Sequence, residues 1–144
     1  MKIGIINKSN HSPPEYKTTG SSGMDIMANL IKKVILHPNE IISVKTGIYL
    51  EMPSNFEAQI RPRSGLALKS GITVLNSPGT IDSDYRGEIA VILINHSKKP
   101  FEINNGDRIA QLVFSSVEKI SWKHVGVLTQ TERNKGGFGS TGKK

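Results

Sequence analysis

The segment Asn76-Ser77-Pro78-Gly79-Thr80-Ile81-Asp82-Ser83-Asp84-Tyr85-Arg86-Gly87-Glu88 places two carboxylates, two positions apart, beside an aromatic ring in a turn-rich stretch. A turn needs glycine and proline, but turn chemistry does not require that pair of acids next to a tyrosine. Apolar residues then recur at Ile89, Val91 and Leu93, the period of one strand face. The segment predicts a hairpin whose acids are held by a packed sheet.

Outward from this point the chain reads as strands nearly throughout. Ile3 and Ile5 begin an alternation, and residues 34–36, 41–44 and 47–50 are short apolar runs broken by Pro38, Asn39 and Pro53. Phe56, Ala58 and Ile60 alternate again. Further strands are expected over residues 72–75, 88–95, 108–114 and 117–123. Only residues 65–70 suit a turn or two of helix. Many short strands between turn signals every ~8–12 residues predict an all-β sandwich, barrel or jelly roll.

At 144 residues the chain has room for one core. Hydrophobic content of 36% and charged content of 22% are those of a soluble globular protein. No apolar run approaches the ~20 residues that span a bilayer, and the opening Met1-Lys2-Ile3-Gly4-Ile5-Ile6 is too short for a secretory core, so a cytoplasmic location is expected. Without cysteine there are no disulfides, thiolate metal sites or thiol nucleophile. The net charge of +7 favours anionic partners. The basic residues are nonetheless dispersed and aromatics are few, which argues against a nucleic-acid groove.

Four more segments carry chemistry. From Thr129 the chain loses apolar periodicity, so residues 1–128 are expected to form the β domain and residues 129–144 a mobile arm. Within that arm, Arg133 and the stretch Gly136-Gly137-Phe138-Gly139-Ser140-Thr141-Gly142 suit either a disordered tail or a flap offering amides and hydroxyls to phosphate and a ring to a base. Arg61-Pro62-Arg63-Ser64-Gly65-Leu66-Ala67 is either an anion-receiving turn or a helix cap with solvent-facing arginines. Ser22-Gly23-Met24-Asp25-Ile26 reads first as an ordinary turn aspartate. In Gly106-Asp107-Arg108-Ile109-Ala110-Gln111-Leu112, Gln111 interrupts an apolar run, and its amide needs a partner if buried.

These five segments, in this order and at these spacings, resemble the five motifs of the trimeric deoxyuridine triphosphatase (dUTPase) family across nearly the whole chain. The resemblance implies a dUTPase-like β jelly roll, or β-clip, with little helix. It implies a homotrimer with active sites between subunits, and Mg²⁺-dependent hydrolysis of dUTP to dUMP and pyrophosphate. That reaction limits uracil incorporation into DNA and supplies dUMP for thymidylate synthesis. No nucleic-acid or membrane partner is implied.

Residue by residue, Asp82 matches the general base that activates water for attack at the α-phosphorus, and Gln111 matches a residue orienting the α-phosphate and that water. Arg63, Ser64 and Gly65 match the phosphate grip. Asn76, Gly79, Thr80, Ile81 and Ala90 match the uracil-recognising hairpin, and Tyr85 the ring beneath the deoxyribose. Arg133 matches the arm residue at the terminal phosphate, Phe138 the ring covering uracil, and Gly139, Ser140 and Thr141 the rest of the flap. Asp25 matches an acid near the hydrated metal, acting through water, and no direct protein ligand to the metal is assigned.

Asn134 stands where the family commonly has glycine, but Asn tolerates left-handed backbone. Ser22 and Met24 also depart from the usual first motif. Asp84 is read as structural, either stabilising its turn or pairing with a nearby arginine such as Arg86 or Arg108, and the four histidines as surface or loop residues without metal-binding spacing. Two alternatives share the fold. One is a deoxycytidine triphosphate deaminase, which would release ammonia; the other is a dUTPase-like regulatory protein that binds nucleotide without turnover.

Overall fold

The computed structural model describes residues 2–137. Among them the chain forms β1 (Gly4–Asn7), β2 (Met24–Met27), β3 (Val34–Leu36), β4 (Ile41–Lys45), β5 (Ile48–Glu51), β6 (Phe56–Arg61), α1 (Ser64–Ser70), β7 (Ile72–Val74), β8 (Gly79–Ile81), β9 (Ala90–Asn95), β10 (Phe101–Ile103) and β11 (Arg108–Ser116). A four-stranded sheet runs β2-β11-β6-β8, a three-stranded sheet β4-β9-β7, and two ribbons pair β1 with β5 and β10 with β3. The fold is the all-β jelly-roll type expected, with one short helix.

Alternation sets the core. Val91 and Leu93 of β9, Val44 of β4, and Ile72 and Val74 of β7 turn inward from one sheet; Ile26, Ala58, Ile60, Ala110 and Leu112 turn inward from the other. At the end of β9 the polar residue Asn95 is completely buried, and its amide is fully used. Its Nδ2 donates to the carbonyls of Leu36 (2.9 Å) and Lys99 (2.8 Å), while its Oδ1 accepts from the Ser97 amide at 2.8 Å. One side chain thus ties β3, β9 and the β9–β10 turn together.

The opening segment differs from a paired hairpin. β8 pairs with β6, whereas β9 pairs with β4 and β7, so residues 82–89 carry the chain from one sheet to the other. The apolar period that marks β9 reports its burial, not the identity of its partner. Residues 117–123, expected as a strand, have no regular structure. Ile120 and Trp122 are exposed there, with no sheet against which an apolar face could pack. β2, β8 and β10, each only three or four residues long, are not among the strands expected from the sequence.

Helix α1 ends as its sequence requires. Gly71 adopts the left-handed conformation (φ 66°), its amide donates to the Ala67 carbonyl at 3.1 Å, and a Cβ there would lie 3.0 Å from the Ser97 nitrogen. This fixes the exit into β7 and leaves the helix start, Ser64 and Gly65, exposed beside Arg63.

Candidate active site

The predicted residues form two groups on the two sides of β6. On the β11 side Gln111 stands between Asp25 of β2 and Arg61 of β6. On the β8 side Ile81 stands opposite Ala58, and Asp82 follows it. Along β6, Ala58 and Arg61 are roughly 10 Å apart at ~3.3 Å per residue.

In the first group the Asp25 carboxylate bridges two guanidinium groups. Arg63 Nε donates to Oδ1 at 2.9 Å and Arg108 Nη1 to Oδ2 at 3.1 Å, while Arg63 Nη1 donates to the Arg108 carbonyl at 2.9 Å. Asp25 and Arg63 are only 21% and 27% exposed, so the pair is partly desolvated and geometrically fixed. Gln111 Nε2 donates to the Pro62 carbonyl at 2.9 Å, the partner its position demanded. Arg108 is the residue that sequence reasoning left without a role in this group. Its place in the glycine-aspartate-arginine turn was visible, but its distance from Asp25 was not.

The second group surrounds a cavity of about 190 Å³ lined by Thr80, Ile81, Asp82, Tyr85, Glu88 and Ala90, among others. Among the described residues β8 is the outer strand of its sheet, and its Thr80 and Ile81 line this space. Asn76 packs beside Gly79, where a Cβ would lie 3.2 Å from Asn76 Nδ2 and 3.4 Å from Ile60 Cβ. The Tyr85 ring lies across Gly87, where a Cβ would overlap it, and its hydroxyl donates to the Glu88 carbonyl at 3.1 Å.

Asp84 pairs with neither expected arginine. Arg86 donates to the carbonyls of Ser83 and Tyr85, and Arg108 is held by Asp25, so both cations are already committed. His11 is half-buried with Nε2 3.0 Å from Asn105 Oδ1; His37, His96 and His124 are exposed. In the arm, Arg133 Nε donates to the Gly136 carbonyl at 3.0 Å, and Asn134 takes the left-handed backbone (φ 45°) that its residue type tolerates. Phe138, Gly139, Ser140 and Thr141 lie outside the described residues.

A carboxylate at a small pocket, with guanidinium groups and an amide on the same β scaffold, is a set of groups suited to an anionic, phosphate-bearing substrate. A family model described as dUTPase matches residues 9–142. The chain is 51% identical over 142 residues to a deoxyuridine 5'-triphosphate nucleotidohydrolase of Finegoldia magna, covering 99% of both chains. The fold is similar to that of a Staphylococcus bacteriophage 80alpha dUTPase solved with dUpNHpp (TM-score 0.86, 23% identity, 98% of each chain). It is also similar to a dUTPase of phage phi11 of S. aureus described with a structural Mg(II) ion (TM-score 0.79, 22% identity, covering 90% of this chain and 100% of that one). The chain belongs to the dUTPase family.

Proposed function

We propose that this chain hydrolyses dUTP to dUMP and pyrophosphate. The observation that carries the reading is the small cavity that sets the Asp82 carboxylate and the Tyr85 ring beside the free edge of β8. That edge offers donors and acceptors in fixed positions, suited to the pairing edge of a pyrimidine, and Asn76, Gly79, Thr80, Ile81 and Ala90 shape it. A confined pocket disfavours a 5-methyl group, and Tyr85 beneath the sugar disfavours a 2′-hydroxyl.

Asp82 acts as general base for the water attacking the α-phosphorus. Gln111, held by Pro62, orients the α-phosphate and that water; Arg63, Ser64 and Gly65 grip the phosphates. Arg133 reaches the terminal phosphate, while Phe138, Gly139, Ser140 and Thr141 close over the base, residues 129–144 serving as the arm of a 1–128 domain. Magnesium suits the site as part of the substrate. Among the described residues no three His, Asp or Glu side chains gather as a metal cage, and both oxygens of Asp25 are engaged by arginines. When bound with the substrate, the ion would neutralise phosphate charge, and Asp25 would be the acid placed to hold it through water.

The site is completed by another copy, Asp82 and Tyr85 of one chain facing Arg63 and Gln111 of the next, as in a homotrimer. Apolar surface supports the same assembly. Ile41 and Leu75 are half exposed on the outer face of the β4-β9-β7 sheet, and Trp122 and Leu128 are 86% and 81% exposed. Among the described residues no helix is long and apolar enough to cross a membrane, and the chemistry fits a cytoplasmic nucleotide enzyme.

The test is to incubate the purified protein with Mg²⁺ and, separately, dUTP, UTP and each common dNTP, measuring pyrophosphate and ammonia. Selective pyrophosphate release from dUTP is expected. Ammonia from dCTP would replace this reading with a deaminase, and binding of dUTP without turnover with a regulatory protein.

A further inference from the structure

The sugar-facing tyrosine is anchored through Glu88 to a turn, between β4 and β5, that none of the five motifs contains. The Tyr85 hydroxyl donates to the Glu88 carbonyl, and the ring occupies the space that a side chain at Gly87 would fill. Glu88 is itself held from the other side. Its Oε1 accepts from the Gly47 amide at 2.9 Å, and its Oε2 lies 3.4 Å from Lys45 Nζ.

The turn that receives Glu88 is rigid for local reasons. Gly47 has φ 72°, and a Cβ there would lie 2.7 Å from the Ser9 nitrogen. The buried Thr46 hydroxyl donates to the Ile89 carbonyl at 2.7 Å, and the Ile89 amide donates to the Ile48 carbonyl at 2.8 Å. The Glu88 carboxylate is 18% exposed, so its bond to Gly47 is shielded, whereas Lys45 is 74% exposed and its charge adds little.

We propose that Glu88 is a positioning and specificity-determining residue: through the Gly47 amide it fixes its own carbonyl, hence the Tyr85 ring, and so sets discrimination between deoxyribose and ribose triphosphates. This rests on the dUTP reading above. The residues between β4 and β5 thereby join the site without touching substrate. Glu88 lines the same cavity as Asp82, so the Gly47 bond, together with the Ile89-to-Ile48 bond of the same peptide unit, acts at the wall of that pocket.

The test compares the wild-type protein with Glu88→Ala and Glu88→Gln, each checked for folding by its melting profile. Steady-state turnover of dUTP and UTP is measured, together with the NMR ring resonances of Tyr85, assigned by their loss in Tyr85→Phe. Glu88→Ala is expected to lower the dUTP/UTP ratio of kcat/KM by about fivefold or more, chiefly through KM for dUTP, and to move the Tyr85 resonances. Glu88→Gln, which keeps an oxygen for Gly47, restores both. Unchanged discrimination in a folded Glu88→Ala overturns the proposal while leaving the dUTP reading intact. If the wild-type protein turns over neither nucleotide, the dUTP reading fails and the ring resonances decide: movement in Ala but not Gln supports the positioning role, and no movement overturns it. Should Glu88→Ala not fold, Glu88→Met, which keeps volume but accepts no hydrogen bond, takes its place; failure of both to fold overturns the proposal, Glu88 then being a folding residue.

Discussion

Gly23 and Gln111 pack so closely that a Cβ at Gly23 would overlap Gln111 Oε1 and lie 3.2 Å from Val113 Cγ2. The missing side chain at one position is the space that the amide at the other occupies. Gly23→Ala should therefore swing Gln111 off the Pro62 carbonyl. Because a misplacement of ~1 Å can cost about 100-fold, kcat/KM for dUTP should fall by about 10- to 100-fold with the circular dichroism spectrum unchanged. A folded Gly23→Ala with full activity would show that Gln111 orientation is not needed.

Asp82 follows β8 and Arg63 follows β6, in the two separate groups of the site, which makes a mixing experiment informative. Asp82→Asn should bind dUTP yet turn it over at least about 100-fold more slowly, since the base is lost but little volume. Arg63→Ala should also be impaired, because the carboxylate of Asp25 loses a charged partner and the phosphates lose a cation. If sites are shared between copies, unfolding and refolding the two variants together recovers turnover that neither has alone. No recovery in demonstrably mixed oligomers would place the whole site within one chain.

Asn95 is the buried polar junction of β3, β9 and the following turn. Asn95→Leu removes three hydrogen bonds, taking this partner from the Leu36 carbonyl and the Ser97 amide, while the Lys99 carbonyl keeps the Ser97 hydroxyl. A loss of about 3 kcal/mol in urea denaturation is expected, the scale of one or two buried groups left unsatisfied. A change within about 0.5 kcal/mol would mean that water replaces the amide.

Removing residues 129–144 should abolish most turnover and leave the core nearly as stable. Residues 129–137 contribute no strand and no buried apolar side chain. Steady-state kinetics and thermal melting of the truncated chain check this. Equal activity would remove the arm from the mechanism, and collapse of the fold would make it structural.

Glu102 is held below the ordinary carboxyl value of 4.5 by its hydrogen bond from Lys33, with Asn104 adding to the effect. A depressed folded value means that this pair's contribution is present above that ordinary value and is lost as pH falls through the folded one. Carboxyl NMR titration should show Glu102 rising toward 4.5 in Lys33→Met. No upward movement would assign the shift to another cause.

The all-β class, the position of most strands and the identity of the chemical groups are written in the sequence. Period-two burial at Val91 and Leu93, turn residues between runs, and five ordered motifs are local properties of the chain, readable without coordinates. Tertiary structure decided which groups meet. Strand pairing is non-local, so only the register of β11 between β2 and β6 shows that Asp25, Gln111 and Arg108 share one end, and only the divergence of β8 and β9 into separate sheets shows that residues 82–89 cross between them. The same holds for Gly23 under Gln111 and for Glu88 on Gly47. Each is a close approach between residues far apart in sequence, set by packing that no local pattern encodes.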